Sequence, residues 1–183
     1  MDDVSPTTIE TAVGEWGVQA ALGFPLILDE YRSHAQLHEG FPADPDDDAG
    51  LFVGIARPGE DWPSLVVTQR WGPAGGGFRP GVLVVPDSGR VFIGAGTRVL
   101  CYWDDAGTWR RQWQDRIAYP GFWGWRLHGD VVVMAGEIEM AAWTSEGEPM
   151  WAEAVEPPWS YEVIDGTVHI DVNGSRRAVP LRR

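Results

Sequence analysis

From residue 51 onward the chain alternates short apolar runs with breaks that contain glycine or proline. The runs are rich in valine, isoleucine and leucine, and they cover residues 51–55, 65–68, 82–85 and 91–93. Runs of this length between glycine and proline are typical of β-strands joined by turns. The pattern therefore predicts a β core over residues 51–183.

The apolar pattern also repeats along the chain. Trp103 follows Val91 by twelve residues, Trp143 follows Val131 by twelve residues, and the two copies start 40 residues apart. A glycine comes four residues after each tryptophan. A third, shorter copy begins at residues 166–170 and closes at residues 173–174, an Asn-Gly pair that favours a tight hairpin turn. Such a repeat predicts stacked hairpins or propeller blades.

The first 50 residues differ from the rest of the chain. Residues 5–10 carry Ser5 and Pro6 in the positions of a helix cap and a first helical residue, so they predict one short helix. A second helix is predicted over residues 29–39, ending at Gly40. We expect a single domain, 1–183, in which a helical and loop segment (1–50) packs on the β core (51–183).

Two stretches carry a resemblance to a known family. Residues 100–107, with Trp113 after them, and residues 140–151 each place an acidic, glycine-containing turn after one strand and a tryptophan in the next. This resembles the repeat of quinoprotein-dehydrogenase-type (PQQ-like) β-propellers over about residues 91–170. The resemblance implies blade-like antiparallel sheets with tryptophan between the blades.

Propellers normally close with four to eight blades, whereas at most three partial units are visible in this sequence. The resemblance therefore implies an open stack or one completed by a second copy of the chain, and it does not carry over the quinone cofactor. The predicted fold class is all-β, with propeller-blade-like or sandwich antiparallel sheets and one or two short N-terminal helices. We predict no cofactor.

Charge narrows the choice of partner. The chain has 27 acidic residues against 14 basic ones, all of them arginine, for a net charge of −13. The absence of lysine excludes chemistry that needs a lysine amine. Phosphate backbones require clustered cations, so we expect no nucleic-acid ligand. An acidic surface attracts a basic partner, although it also serves solubility alone.

The sequence shows neither a signal peptide nor an apolar membrane span, and its single cysteine, Cys101, permits no disulfide within the chain. We expect a cytoplasmic protein that does not associate with a membrane.

The eleven tryptophans are a heavy load for 183 residues. We expect most of them to pack between sheets. A second group of aromatic and cationic residues lies in segments rich in glycine or proline, and is the predicted binding surface: Trp62, Trp71, Phe78, Arg79, Trp159 and Tyr161.

A competing interpretation uses an aromatic face. In an extended segment Trp123, Trp125 and Leu127 would share one face, which could bind a sugar. Glu137 and Glu139 lie two residues apart, and on a strand they would form a carboxylate pair that His128 or Arg126 approaches, as in a glycosidase-like site. Charges that protect a sheet edge explain the same residues more simply.

Two weak metal sites are also considered. His34 and His38 would share one face of the second predicted helix. Asp44, Asp46 and Asp48 alternate as in a calcium loop, but Ala49 occupies the position that requires glycine and a glutamate is missing from the twelfth position. We predict no metal at either place.

These observations favour a non-catalytic binding protein that engages a basic protein partner, for example an immunity or antitoxin-like role against a basic effector. The alternative is a carbohydrate-binding module or glycoside-acting enzyme. A homodimer is compatible with both.

Overall fold

A computed structural model describes residues 8–42, 49–71, 79–117 and 121–183. In this part of the chain sixteen strands form four sheets, with one α-helix and one 3-10 turn. The predicted all-β fold class, with a short helix near the N-terminus, is confirmed. The strands are β1 (Thr8–Val13), β2 (Trp16–Leu22), β3 (Leu37–Phe41), β4 (Ala49–Ala56), β5 (Leu65–Trp71), β6 (Gly81–Val85), β7 (Arg90–Ala95), β8 (Arg98–Asp105), β9 (Thr108–Arg116), β10 (Phe122–His128), β11 (Val131–Gly136), β12 (Glu139–Thr144), β13 (Pro149–Ala154), β14 (Trp159–Ile164), β15 (Thr167–Val172) and β16 (Ser175–Pro180); α1 is Leu28–His34.

Sheet 1 has the strand order β1-β2-β4-β5-β3 and uses the N-terminal segment that the sequence predicted to be helical or looped. The predicted helix over residues 5–10 is wrong from Thr8 onward, where β1 begins; residues 5–7 lie outside the described residues. Gly14 turns the chain at a φ of 61°. The next strand then buries Trp16 and Val18 against sheet 2, which gives the segment a reason to be extended.

The second predicted helix is shorter than expected. Helix α1 ends at His34, and Ala35 is already extended. The amide N–H groups of Gln36 and Leu37 both donate to the carbonyl of Ser64, which starts the parallel pairing of β3 with β5. Pairing with the edge of β5 gives backbone partners to the residues that follow α1, so residues 37–39 are strand.

Sheets 2, 3 and 4 are antiparallel and follow one another along the chain, with orders β6-β7-β8-β9, β10-β11-β12-β13 and β14-β15-β16. The repeat predicted from the sequence corresponds to hairpins β8–β9, β12–β13 and β15–β16, and all three are confirmed.

The sheets stack face to face in chain order. One apolar cluster joins sheets 1 and 2, a second joins sheets 2 and 3, and a third joins sheets 3 and 4. Nine of the eleven tryptophans belong to these clusters or pack against them, as the sequence predicted. Each indole buries a large apolar area, and this is how sheets of only three to five strands cohere.

Two of the repeated turns accept hydrogen bonds from the preceding part of the stack. At the turn between β8 and β9 of sheet 2, the carbonyl of Gly107 accepts a hydrogen bond at 2.9 Å from the side chain of Gln36, which immediately precedes β3 of sheet 1. In sheet 3 the carbonyl of Gly147 accepts one from the indole N–H of Trp113 of sheet 2 at 2.7 Å. The two glycines hold the same place in the sequence repeat, so the turns of the first two copies each contact the preceding part of the stack in the same way.

The two ends of the stack are finished differently. Tyr31 of α1 packs on Phe52 and covers the outer face of sheet 1. The outer face of sheet 4 carries polar side chains, among them Glu162, His169 and Asp171. Among the described residues no apolar cluster joins sheet 4 to sheet 1. None of the described helices is long and apolar enough to cross a membrane.

Candidate functional site

A cleft of about 310 Å³ lies where sheets 3 and 4 meet along their edge strands β10 and β14. We name it the aromatic cleft and define it by its lining residues, which are Trp123, Gly124, Trp125, Arg126, Ala135, Trp159, Ser160 and Tyr161. Its size is at the lower end of ordinary ligand sites. Two of the predicted binding residues, Trp159 and Tyr161, meet here.

The rings in the aromatic cleft stack on one another. Trp123 lies parallel to Trp159 at 5.2 Å between ring centroids, and Trp159 is nearly parallel to Tyr161 at 6.2 Å. The indole N–H of Trp159 donates to the carbonyl of Glu137 at 2.9 Å, which fixes the orientation of the ring. Trp159 is only 8% exposed, so its ring faces are used within the protein.

A cationic group stands at the rim. The guanidinium of Arg126 lies 5.6 Å from the centre of the Tyr161 ring, a cation–π arrangement. The Tyr161 hydroxyl is 3.4 Å from Nε2 of His128. Burial, and then the positive charge of Arg126, lowers the pKa of His128 below its ordinary value of 6.5. Burial raises the pKa of the Tyr161 hydroxyl, against an opposing effect of Arg126. At neutral pH Arg126 is therefore the side chain that carries the charge among Arg126, His128 and Tyr161.

The predicted shared face of Trp123 and Trp125 is wrong. The register of β10 against β11 shifts between Phe122 and Gly124, which makes Trp123 an extra residue in a bulge. Trp123 packs between sheets 3 and 4, whereas Trp125 packs between sheets 2 and 3. An extra residue reverses the alternation of side chains, and the sequence gave no sign of it.

The predicted carboxylate pair is not formed on one strand. Glu137 lies in the turn between β11 and β12, and Glu139 is the first residue of β12. The part that Glu137 plays at the aromatic cleft is its backbone carbonyl. Neither glutamate lines the cleft, and among the described residues that line it none is acidic. The glycosidase-like arrangement with His128 is therefore absent from this cleft.

A second feature lies at the other end of the stack. Trp62 is 36% exposed, with its ring stacked on His34 at 4.4 Å and edge-on to Tyr31 at 5.5 Å. Leu26 and Ile27, just before α1, are 84% and 48% exposed. Acidic side chains lie in the same segments, at positions Asp29, Glu30 and Asp61. We name Leu26, Ile27, Trp62 and these three carboxylates the Trp62 surface.

Trp71 and Arg79, two further predicted binding residues, belong to neither feature. Trp71 is not exposed as predicted: it closes β5, is 8% exposed and belongs to the cluster between sheets 1 and 2. Arg79 is exposed just before β6, and Phe78 lies outside the described residues.

The weak candidates for metal ligands lie as follows. His34 ends α1 and His38 lies in β3, so the helical face that the two histidines were to share does not exist. Asp44, Asp46 and Asp48 lie outside the described residues. Within the described ranges no three histidine, cysteine, aspartate or glutamate side chains are grouped as metal ligands would be.

Sequence reasoning missed Leu26 and Ile27 as part of a surface. The pair sits in an apolar run, and an apolar run alone does not say which residues a sheet covers. The Pro25 that precedes them, in front of a short acidic helix, was the available signal for an exposed turn.

No protein-family model and no curated protein matches this chain. Among solved structures, the WD40 β-propeller domain of Doa1 is similar with a TM-score of 0.44 and 11% identity, over 78% of this chain and 51% of that one. Glutaminyl cyclase from Myxococcus xanthus is similar with a TM-score of 0.32 and 13% identity, over 81% of this chain and 68% of the enzyme. The chain thus spans about half the length of the WD40 domain.

The propeller-like character of the chain rests on its own stacked sheets, and TM-scores this low add no argument to it. Neither similar structure identifies the quinoprotein type of repeat.

Proposed function

We propose that this chain is a non-catalytic binding protein that engages a basic protein partner through the Trp62 surface. The observation that carries the proposal is the exposure of Leu26, Ile27 and Trp62, which lie in chain segments that also carry exposed acidic side chains. Exposed apolar residues bordered by charge are typical of protein–protein contact sites.

The charges of the Trp62 surface are available to a partner. Asp29 forms an ion pair with Arg32, but Glu30 and Asp61 have no ion-pair partner among the described residues. Both are exposed. With a net charge of −13, the whole molecule adds long-range attraction for a basic partner.

The carbohydrate alternative is weaker because of the ring geometry in the aromatic cleft. A sugar platform needs an open ring face, whereas Trp123, Trp159 and Tyr161 present their faces to one another. A glycosidase also needs two carboxylates facing the substrate, and the aromatic cleft has none in its described lining.

The test compares two double variants of equal charge. Glu30→Arg with Asp61→Arg reverses two charges of the Trp62 surface, while Glu156→Arg with Glu162→Arg makes the same charge change at exposed positions just before β14 and within it. A partner captured from source-cell extract by the unaltered protein is purified, and its Kd is measured by calorimetry at several salt concentrations. We expect a basic partner whose affinity falls at least about tenfold with the first variant, about 1.4 kcal/mol, and much less with the second. Equal losses with both variants, or a partner that is not basic, would contradict the proposal.

A cytoplasmic location and an immunity or antitoxin-like role are consistent with an acidic binding protein that has one cysteine. Kinship with quinoprotein-type repeats is supported by the matched Trp103 and Trp143 spacing. Protection of cells from a purified basic toxin by co-expression of this chain would test the role directly.

A further inference from the structure

The aromatic cleft is built from strand edges. Its lining includes three consecutive residues of β14, residues 159–161, and four consecutive residues of β10, residues 123–126. Consecutive residues of a strand point to opposite faces of a sheet. Trp123 and Gly124 belong to the bulge, where this alternation breaks, but Ser160 alternates with Trp159 and Tyr161, and Arg126 alternates with Trp125. A cavity that touches residues from both faces of each strand therefore runs along the backbone edges of β14 and β10.

The two edges differ in what they offer to another chain. β10 is interrupted by the bulge at Trp123, and bulges hinder further pairing. β14 pairs with β15 in unbroken register from Trp159 to Ile164, and it is the terminal strand of its sheet among the described residues. The outer N–H and C=O groups of β14 are thus the regular edge to which an extended segment can add.

The side chains around the aromatic cleft select for negative charge. Eight other arginines have a carboxylate within ion-pair distance: Arg32, Arg57, Arg110, Arg111, Arg176, Arg177, Arg182 and Arg183. Arg126 has none among the described residues, although acidic residues outnumber arginines about two to one. Arg126 is exposed at the rim of the cleft. A guanidinium in that position binds a carboxylate well.

We propose that the aromatic cleft binds an extended peptide segment of another protein, which adds to the edge of β14 and places a carboxylate side chain at Arg126. The cleft volume of about 310 Å³ suits the few residues of a strand that would lie between β14 and β10. This site is separate from the Trp62 surface and does not depend on the proposed basic partner.

The experiment uses capped pentapeptides that alternate valine with glutamate, glutamine or lysine, titrated into the full chain and followed by tryptophan fluorescence and by NMR. We expect the glutamate peptide to bind about tenfold more tightly than the lysine peptide, since one charge-assisted hydrogen bond gives roughly that factor. Arg126→Gln should abolish this preference. Arg110→Gln, which removes an equally charged side chain from sheet 2, should leave it intact.

Backbone pairing has its own readout. Two further glutamate peptides carry N-methyl groups on the odd or on the even residues, so that only one of them loses the amides that face β14. We expect binding to be lost with one and kept with the other. Trp62→Ala should change none of these results, and this separates the inference from the proposed function.

Several outcomes would overturn the inference. They are no binding of the glutamate peptide at millimolar concentration, equal affinity for the glutamate and lysine peptides, or a preference that survives Arg126→Gln. Insensitivity to both N-methylated peptides would exclude strand addition. Binding of cellotetraose in the aromatic cleft without any peptide binding would replace the peptide by a sugar.

Discussion

The Phe122 ring of sheet 3 lies directly against Gly94 of sheet 2. A Cβ atom at Gly94 would be 2.5 Å from Cδ2 and Cε2 of Phe122, and one at Gly81, the cross-strand partner of Gly94, would be 2.9 Å from Cε1. Phe122 is 1% exposed. Gly81 and Gly94 therefore leave the space that the ring of Phe122 occupies. This packing places the start of β10 against β6 and β7.

Adding a methyl group at Gly94 tests the packing of sheets 2 and 3. Gly94→Ala should lower the free energy of unfolding by about 1–3 kcal/mol, since a well-packed ring must move. Gly124→Ala is the control, because a Cβ there meets nothing within 4 Å. Urea unfolding gives both values. A smaller cost of Gly94→Ala in a Phe122→Leu background would assign the effect to this contact; an unchanged cost would refute it.

The docking turns of the repeat should contribute measurably to stability. Trp113→Phe keeps a ring between sheets 2 and 3 but removes the N–H that donates to the carbonyl of Gly147 at 2.7 Å. We expect a loss of about 1 kcal/mol, the usual net value of such a bond. Trp103→Phe, whose half-buried ring lies under Arg90, makes the same substitution outside this bond and should cost less. Thermal unfolding of the two variants measures both losses of stability. Equal losses would mean that the hydrogen bond to Gly147 does not stabilise the contact between sheets 2 and 3.

Acidification should weaken the fold through His128. Its pKa is lowered in the folded protein by burial and by Arg126, so the unfolded chain binds the proton more readily below pH 6.5. Stability therefore falls as pH drops from 6.5 toward the folded pKa. His128→Gln should remove this part of the pH dependence of the urea midpoint. His38→Gln controls for the loss of an exposed histidine, and an identical effect of both variants would contradict the prediction.

The pKa of His128 also measures the electrostatic influence of Arg126. Because Arg126 contributes to the lowered pKa of His128, Arg126→Gln should raise that pKa toward 6.5. Imidazole chemical shifts followed by NMR across the titration measure it in the folded state. A pKa that stays where it was would place Arg126 farther from the ring than the structure does.

The single thiol should be inert in the folded protein. Cys101 is fully buried between sheets 2 and 3, and burial raises its pKa to about 12. The thiolate is the reactive form, so modification by a disulfide reagent at mildly alkaline pH should wait for unfolding. The measured rate should follow the unfolding rate as guanidinium chloride is added. Fast modification without denaturant would show that the interface between the sheets opens.

The sequence predicted the strands well wherever apolar runs end at glycine or proline. The runs at residues 51–55 and 82–85 became β4 and β6, and the offsets from Val91 to Trp103 and from Val131 to Trp143 became matched hairpins. Local pattern sufficed there because a strand that buries one or both faces must be apolar at set positions.

The N-terminal segment shows where local pattern fails. Residues 29–39 have a helical composition throughout, but only Leu28–His34 is helical, because the edge of β5 offers pairing to the residues that follow. Leu37 pairs in parallel with Leu65, which lies 28 residues further along the chain. The local sequence around residues 29–39 gives no indication of such a distant partner.

For the candidate sites, too, some features followed from the sequence and others only from the tertiary structure. The sequence by itself determined that this chain is acidic, contains no lysine, and carries enough indole to fill the spaces between sheets. Only the tertiary structure decided which aromatic rings pack between sheets and which line the aromatic cleft. One bulge at Trp123 sends it and Trp125 to opposite sides of sheet 3, and the packing of sheet 4 brings Trp159 and Tyr161 to Arg126. Strand register and sheet stacking set those neighbours, and both depend on contacts between residues far apart in the chain.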